Sequence, residues 1–357
     1  MANPVTKIRN TAADYRKLDG RDKRRFWTDG ILNNALYILM AIFIIYTAIV
    51  NHNFLKIGSI TNIISLAAAS LPFALGVAGC IVLTGTDLSG GRVVGLSAAL
   101  SAALLQKTDL ARRMFSWMPN IPTWAGICIA ILAVIAIGAI IGFVNGFFVA
   151  KFKLHPFIVT LSTQLITYGL YLTLSNAAQI SNLDASYTSD LVIKPMFRLG
   201  NTPVMSYVAF AIIVTAIMWF IWNKTTFGKN MFAVGSNEEA ARVSGVNVTM
   251  VIIGVFALAG VTYGYTGFIE AARMGASTGT IGLNYELDAI AACVIGGVSF
   301  VGGIGKISGV VLGVVLMQLI MSGMTFLGIS GNTTYIIKGL VILIACAIDM
   351  RKYLTKK

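Results

Sequence analysis

Residues 31–50 read ILNNALYILMAIFIIYTAIV, twenty positions without a charge. At 1.5 Å of rise per residue, about 20 apolar residues span the ~30 Å hydrocarbon core of a bilayer as a helix. The thirty residues before this run are polar and carry eight cations: Lys7, Arg9, Arg16, Lys17, Arg21, Lys23, Arg24 and Arg25. A secretory signal has a shorter apolar core and a small-residue cleavage site. Neither feature is present, so the run is expected to be an uncleaved first transmembrane helix with its N-terminus cytoplasmic.

The pattern recurs along the chain. Apolar stretches at 31–50, 60–83, 90–106, 122–150, 156–178, 203–222, 249–270, 285–302, 307–328 and 332–350 predict about ten transmembrane helices. Composition agrees. Of 357 residues, 57% are hydrophobic and only 11% charged, whereas soluble domains carry about 25% charged residues. The expectation is an all-α polytopic membrane protein with both termini cytoplasmic. Its domains are a cytoplasmic segment 1–30, one membrane domain 31–350 with a cytoplasmic loop 223–248, and a tail 351–357.

The net charge is +13. In a soluble protein this would suggest nucleic acid, but the positions of the charges point to a membrane. Ten spans place 19 Lys/Arg in cytoplasmic segments and 7 outside, with Lys338 inside the last span. This is the positive-inside bias, and no nucleic-acid partner is expected. Cys80, Cys128, Cys293 and Cys346 lie in apolar stretches, and His52 and His155 form no cluster with them. No metal site is expected.

Four polar clusters interrupt the spans. Residues 83–92 read LTGTDLSGGR. Asp87 or Ser89 can cap the helix that follows, and Gly permits irregular backbone. The cluster reads either as a capped turn at the membrane edge or as a broken helix on a transport path. Residues 151–164 read KFKLHPFIVTLSTQ. Pro156 suits a helix start, and Thr160, Thr163 and Gln164 suit either helix association or contact with a polar solute. Asp87, Asn145, Thr160 and Gln164 are the candidate path residues, because polar groups facing lipid are costly. In the loop 223–248, Ser236 or Asn237 can cap a short helix that begins with Glu238 and Glu239, and Gly245 can end it. Residues 284–306 place Glu286 and Asp288 at a span start and end in a Gly-rich turn at Lys306. That turn is not a phosphate loop: Phe300 stands where the motif needs Gly, and Ile307 where it needs Ser or Thr. Gly138, Gly142 and Gly146, and likewise Gly305, Gly309 and Gly313, repeat every fourth residue. They read as close helix packing or as traces of a five-helix repeat.

At these clusters the chain resembles the branched-chain amino acid and sugar permease family of bacterial ABC importers. The stretches that carry the likeness are 75–79, 84–92, 156–163, 223–230, 243–248 and 285–305. The sequence Gly85-Thr86-Asp87-Leu88-Ser89-Gly90-Gly91-Arg92 is similar to the galactoside branch, where ribose-type permeases usually read Gly-Ile-Asp-Leu-Ser-Val-Gly. Ser162 departs from the Gly that the family commonly has. The resemblance implies a multi-pass inner-membrane permease, not an enzyme, that works as a dimer. It further implies a cytoplasmic ATPase that holds ATP and Mg, and a periplasmic or lipoprotein sugar-binding protein, with no cofactor on this chain. It also implies an ATPase-coupling helix over Ser236, Asn237, Glu238, Glu239, Ala240, Ala241, Arg242, Val243, Ser244 and Gly245, where Ala240 and Ala241 would allow close approach to the partner. Alternatives are a permease for another monosaccharide such as ribose, or an ion-coupled secondary transporter. The latter usually needs titratable groups in mid-membrane, whereas Asp87, Glu270, Glu286 and Asp288 fall at predicted span ends.

Overall fold

A computed structural model describes residue 19 and residues 35–109, 113–115 and 122–354. The eight N-terminal cations and Lys356 and Lys357 lie outside the described residues. The protein is mostly helical: α1 (Ala35–Val50), α2 (Ile57–Val82), α3 (Gly90–Leu104), α4 (Thr123–Phe152), α5 (Pro156–Ser175), α6 (Ser206–Lys224), α7 (Thr226–Ser236), α8 (Glu238–Val243), α9 (Val248–Met274), α10 (Tyr285–Ile295), α11 (Ile307–Phe326) and α12 (Gly331–Leu354). A short antiparallel hairpin of β1 (Pro195–Leu199) and β2 (Thr202–Met205) departs from the all-α expectation. Among the described residues, seven helices are long and apolar enough to cross a membrane: α2, α4, α5, α6, α9, α11 and α12.

The ten expected spans correspond to ten of these helices, with corrected ends. The eighth is the largest correction. It was expected over 285–302, but α10 stops at Ile295 and a turn follows. The reason is local: Gly297, Gly302 and Gly303 adopt positive φ, which a helix cannot absorb. The sixth span begins three residues later than expected because 203–205 belong to β2, and the seventh runs on to Met274. The expected loop 223–248 is itself helical, as α7 and α8.

The two short helices set the architecture. At 15 and 11 residues, α3 and α10 are about 22 and 16 Å long, too short to cross without the irregular segments that lead into them. Each follows irregular backbone: Thr84 before α3 has φ 60°, and Gly275, Gly282 and Asn284 before α10 have φ between 62° and 78°. Both begin at the same height in the bundle. A Cβ on Gly90 would meet the rings of Phe73 and Tyr263, which lie near the middle of α2 and α9, and Tyr285 stacks edge-on against Phe73 with centroids 6.2 Å apart. From there the helices run in opposite directions. Past the end of α3, the Leu105 carbonyl accepts from the Asp184 amide. At the end of α10, the Ile295 carbonyl accepts from the Tyr37 hydroxyl at 2.6 Å.

This gives a five-helix periodicity with inversion. The third apolar helix of each half is the short one. α4 packs on α9 and α11 packs on α2, so the fourth helix of each half lies on the second helix of the other. The first glycine stripe makes the tightest of these contacts. A Cβ on Gly138 or Gly142 would lie 2.1 Å from the carbonyl oxygen of Gly260 or Phe256 respectively, so only glycine lets these backbones touch. The second stripe is shorter than expected. Gly309 and Gly313 press α11 onto the end of α10, but Gly305 precedes the helix.

Connections cluster at the two ends. At one end, the Gly303 amide donates to Val82 O at 2.8 Å, Gly85 lies against Pro156, and Gly303 lies against Ser236. At the other, residues 176–205 cover the ends of α3 and α9. There the Lys107 amide bonds Asn182 O at 2.9 Å, and the buried Tyr187 hydroxyl donates to Phe268 O.

Candidate functional site

Three of the expected path residues meet in one buried network around the start of α3. Asp87 Oδ1 accepts from the Ser89 amide at 3.0 Å and the Ser89 hydroxyl at 2.6 Å. Asn145 on α4 donates to Ser89 Oγ at 2.9 Å and accepts from the Thr163 hydroxyl at 2.6 Å. The Leu88 amide donates to Thr160 Oγ1 at 3.1 Å, and the Thr160 hydroxyl donates to Thr86 O at 3.3 Å. Backbone that leaves a helix inside a membrane needs such partners. The network therefore fixes the break before α3 and ties it to α4 and α5. Asp87 is 1% exposed, and Asn145 and Thr160 are 0% exposed. All three are closed inside the chain.

Gln164 stands apart from that network. One turn further along α5, its amide donates to Glu286 Oε1 at 3.4 Å. Glu286 sits in the first turn of α10 beside the start of α3, where its Oε2 would collide with a Cβ on Gly91. Arg92 lies over the Tyr168 ring, 4.1 Å from the centroid, and donates to Gly279 O at 3.1 Å. Polarity along the sequence marks Gln164 and Glu286, but it did not single out Arg92 or Tyr168. The available signal was a cation inside the predicted third span.

Two ion pairs lie nearby, one on α10 and one on α9. Lys338 of α12 bonds Asp288 of α10 at 2.8 Å, and Arg273 bonds Glu270 at 2.8 Å on α9. Ser70, Glu270, Arg273, Tyr285, Asp288 and Gln318 contribute to a cleft of about 110 Å³ between α2, α9, α10 and α11. The expectation that the acidic groups sit at span ends is therefore corrected. Asp87, Glu286 and Asp288 lie at mid-height, because the spans that carry them are half-length.

The expected coupling helix over 236–245 is also redrawn. Ser236 ends α7, and α8 covers only Glu238–Val243. Asn237 is the N-cap, its side chain accepting from the Ala240 amide at 2.9 Å. Gly245, at φ 83°, follows the end of α8. Arg242 bonds Glu238 at 2.6 Å along the helix and lies 3.8 Å from Glu239. Glu238, Glu239, Ala240, Arg242, Val243, Ser244 and Gly245 are exposed. Ala241 is not: at 4% exposure it packs into this chain's own core, so it does not offer the approach expected of it. The exposed apolar side chain is Val243, at 89%. Gly235 anchors the whole element, since a Cβ there would lie 1.9 Å from Val82 O.

The family described as branched-chain amino acid transport system / permease component matches residues 53–346. The chain is 43% identical over 343 residues to the galactose/methyl galactoside import permease protein MglC of Escherichia coli (strain K12), covering 94% of this chain and 99% of that protein. The Haemophilus influenzae protein of the same name is 42% identical, covering 92% and 97%. The ribose import permease protein RbsC of Bacillus subtilis (strain 168) is 32% identical, covering 93% and 97%. No solved structure matches the chain.

Proposed function

The chain belongs to the branched-chain amino acid transport system / permease component family, and from that membership we propose that it is the membrane-spanning subunit of an ATP-driven, binding-protein-dependent importer for galactose and methyl galactosides. The observation that carries this reading is the near end-to-end likeness to the galactose/methyl galactoside permeases, which exceeds the likeness to the ribose permease. In this reading the chain crosses the bacterial inner membrane ten times with both termini cytoplasmic. Two copies form the pathway. A separate cytoplasmic ATPase holds ATP and Mg, and a periplasmic or lipoprotein receptor delivers the sugar.

The end of the bundle that carries α7, α8 and the 302–306 turn would face the cytoplasm. It exposes Lys151, Lys153, Lys224, Lys229 and Arg242, in keeping with the positive-inside rule. α8 would be the element that the ATPase grips. It is short, capped, and locked to α2 through Gly235, so a push on it reaches the helix that leads into the break at 83–89. The Asp87 network would hold that break in shape rather than touch the sugar.

The test is reconstitution with the ATPase and receptor in proteoliposomes. ATP hydrolysis should rise with a galactose-loaded receptor, and labelled galactose should accumulate. Uptake driven by a proton or sodium gradient without the ATPase would replace this reading with ion-coupled transport. Stimulation by a ribose-loaded receptor alone would move the protein to the other branch.

A further inference from the structure

The two half-helices begin side by side, and their N-termini both present positive partial charge. Glu286 lies between them. It is 4% exposed, one oxygen has only the long contact to Gln164, and the other has no hydrogen-bond partner. A buried carboxylate oxygen left this way calls for a donor. Arg92 directly follows Gly91, against which Glu286 Oε2 packs, yet no ion pair closes between Arg92 and Glu286 among the described residues. The guanidinium is held off by its stack on Tyr168 and its bond to Gly279 O. The result is a buried acceptor without a full set of donors, with the Gln164 amide beside it and the Arg92 guanidinium tied to other partners. Arg92, Gln164 and Tyr168 are each half-buried, so these donors keep part of their surface open on the flank that carries α3 and α5.

Such a grouping suits one class of ligand. A hydroxyl can donate to the carboxylate and accept from the guanidinium at once, so a neutral polyol bridges the two charges. A charged solute would leave one of them opposed to a like charge, which costs affinity. Building on the importer reading above, we propose that Arg92, Gln164 and Glu286 are the contact site for the neutral sugar in transit, and that Tyr168 is a positioning residue that holds the Arg92 guanidinium open. The site sits at the height where backbone dipoles from both halves converge, and it uses elements from each: α3 with α5 from the first, α10 from the second.

The experiment uses the complete importer in proteoliposomes with D-galactose, reading sugar imported per ATP hydrolysed and the melting temperature of each variant. Arg92→Gln and Glu286→Gln should each lower that ratio about tenfold, the size of one lost charge-assisted hydrogen bond, without shifting the melting temperature. Tyr168→Leu should reproduce the Arg92→Gln defect, and Tyr168→Phe, which keeps the stack, should restore the ratio. An unchanged ratio in both charge variants would overturn the proposal. So would a fall in total activity that tracks a lowered melting temperature at constant ratio, which marks a purely structural cluster. A wild-type importer that moves no galactose would instead refute the functional reading, and this site with it.

Discussion

The substitution Val243→Asp tests whether α8 is the ATPase grip. Val243 is 89% exposed at the end of a helix whose opposite face, through Ala241, is buried in the chain. In a partner's cleft, full burial of a Val side chain contributes about 1.5–3 kcal/mol. Losing it weakens association about 10- to 150-fold, and a carboxylate placed in the same cleft adds a desolvation cost. The permease itself loses nothing, since the side chain touches solvent. Ala241→Trp is the counterpart. It forces a large ring into a packed site, and overpacking of this kind costs the fold about 1–3 kcal/mol or more. The assay is titration of the detergent-solubilised permease with its ATPase, together with receptor-stimulated ATP hydrolysis and thermal melting. Val243→Asp should keep the melting temperature and lose binding and stimulation, whereas Ala241→Trp should lower the melting temperature. If Val243→Asp binds and couples like wild type, α8 is not the grip. The 302–306 turn, which lies against Ser236, would be the next candidate.

Gly138→Leu should destabilise the protein and lower its yield in detergent, because even a Cβ at this position would lie 2.1 Å from Gly260 O, and α4 and α9 would have to separate; thermal melting checks this. Lys338→Leu and Asp288→Leu should each cost about 1–3 kcal/mol by leaving a half-buried charge unpaired, while the double variant recovers part of the loss; a double-mutant cycle of melting temperatures reads it. Topology can be read with a membrane-impermeant thiol reagent on whole spheroplasts: Ser189→Cys should label and Ser244→Cys should not, and the reverse pattern would invert the orientation. Burial pushes the Tyr187 phenol well above its ordinary value. The folded state thus holds this proton more tightly than the unfolded chain, and the associated stability is intact below about pH 10 and lost above it. Tyr187→Phe should flatten the alkaline fall in melting temperature.

Local composition and length were enough to reveal the membrane character and most positions of the apolar helices. They also marked the four polar interruptions and the family likeness. The capped segment at Asn237 and the break at 83–92 were legible for a related reason: caps and glycines act within a few residues. Depth and facing were not legible. Glu286 and Asp288 read as span-end acids because periodicity does not reveal that α10 is only half a span. It follows an irregular stretch, 275–284, that α3 and the 176–205 segment hold in place through Gly91 against Gly282 and the Ile180–Ser277 pairing. Ala241 and Val243 are two positions apart and equally ordinary in the sequence, yet α7 and α9 bury one and leave the other in solvent. Asp87 joined Asn145 and Thr160 while Gln164 joined Glu286, a division set by where α5 crosses α3 and α10. Those contacts join residues 18 to 122 positions apart, and only the packing of whole helices, down to glycine-on-carbonyl contact, brings them within hydrogen-bond reach.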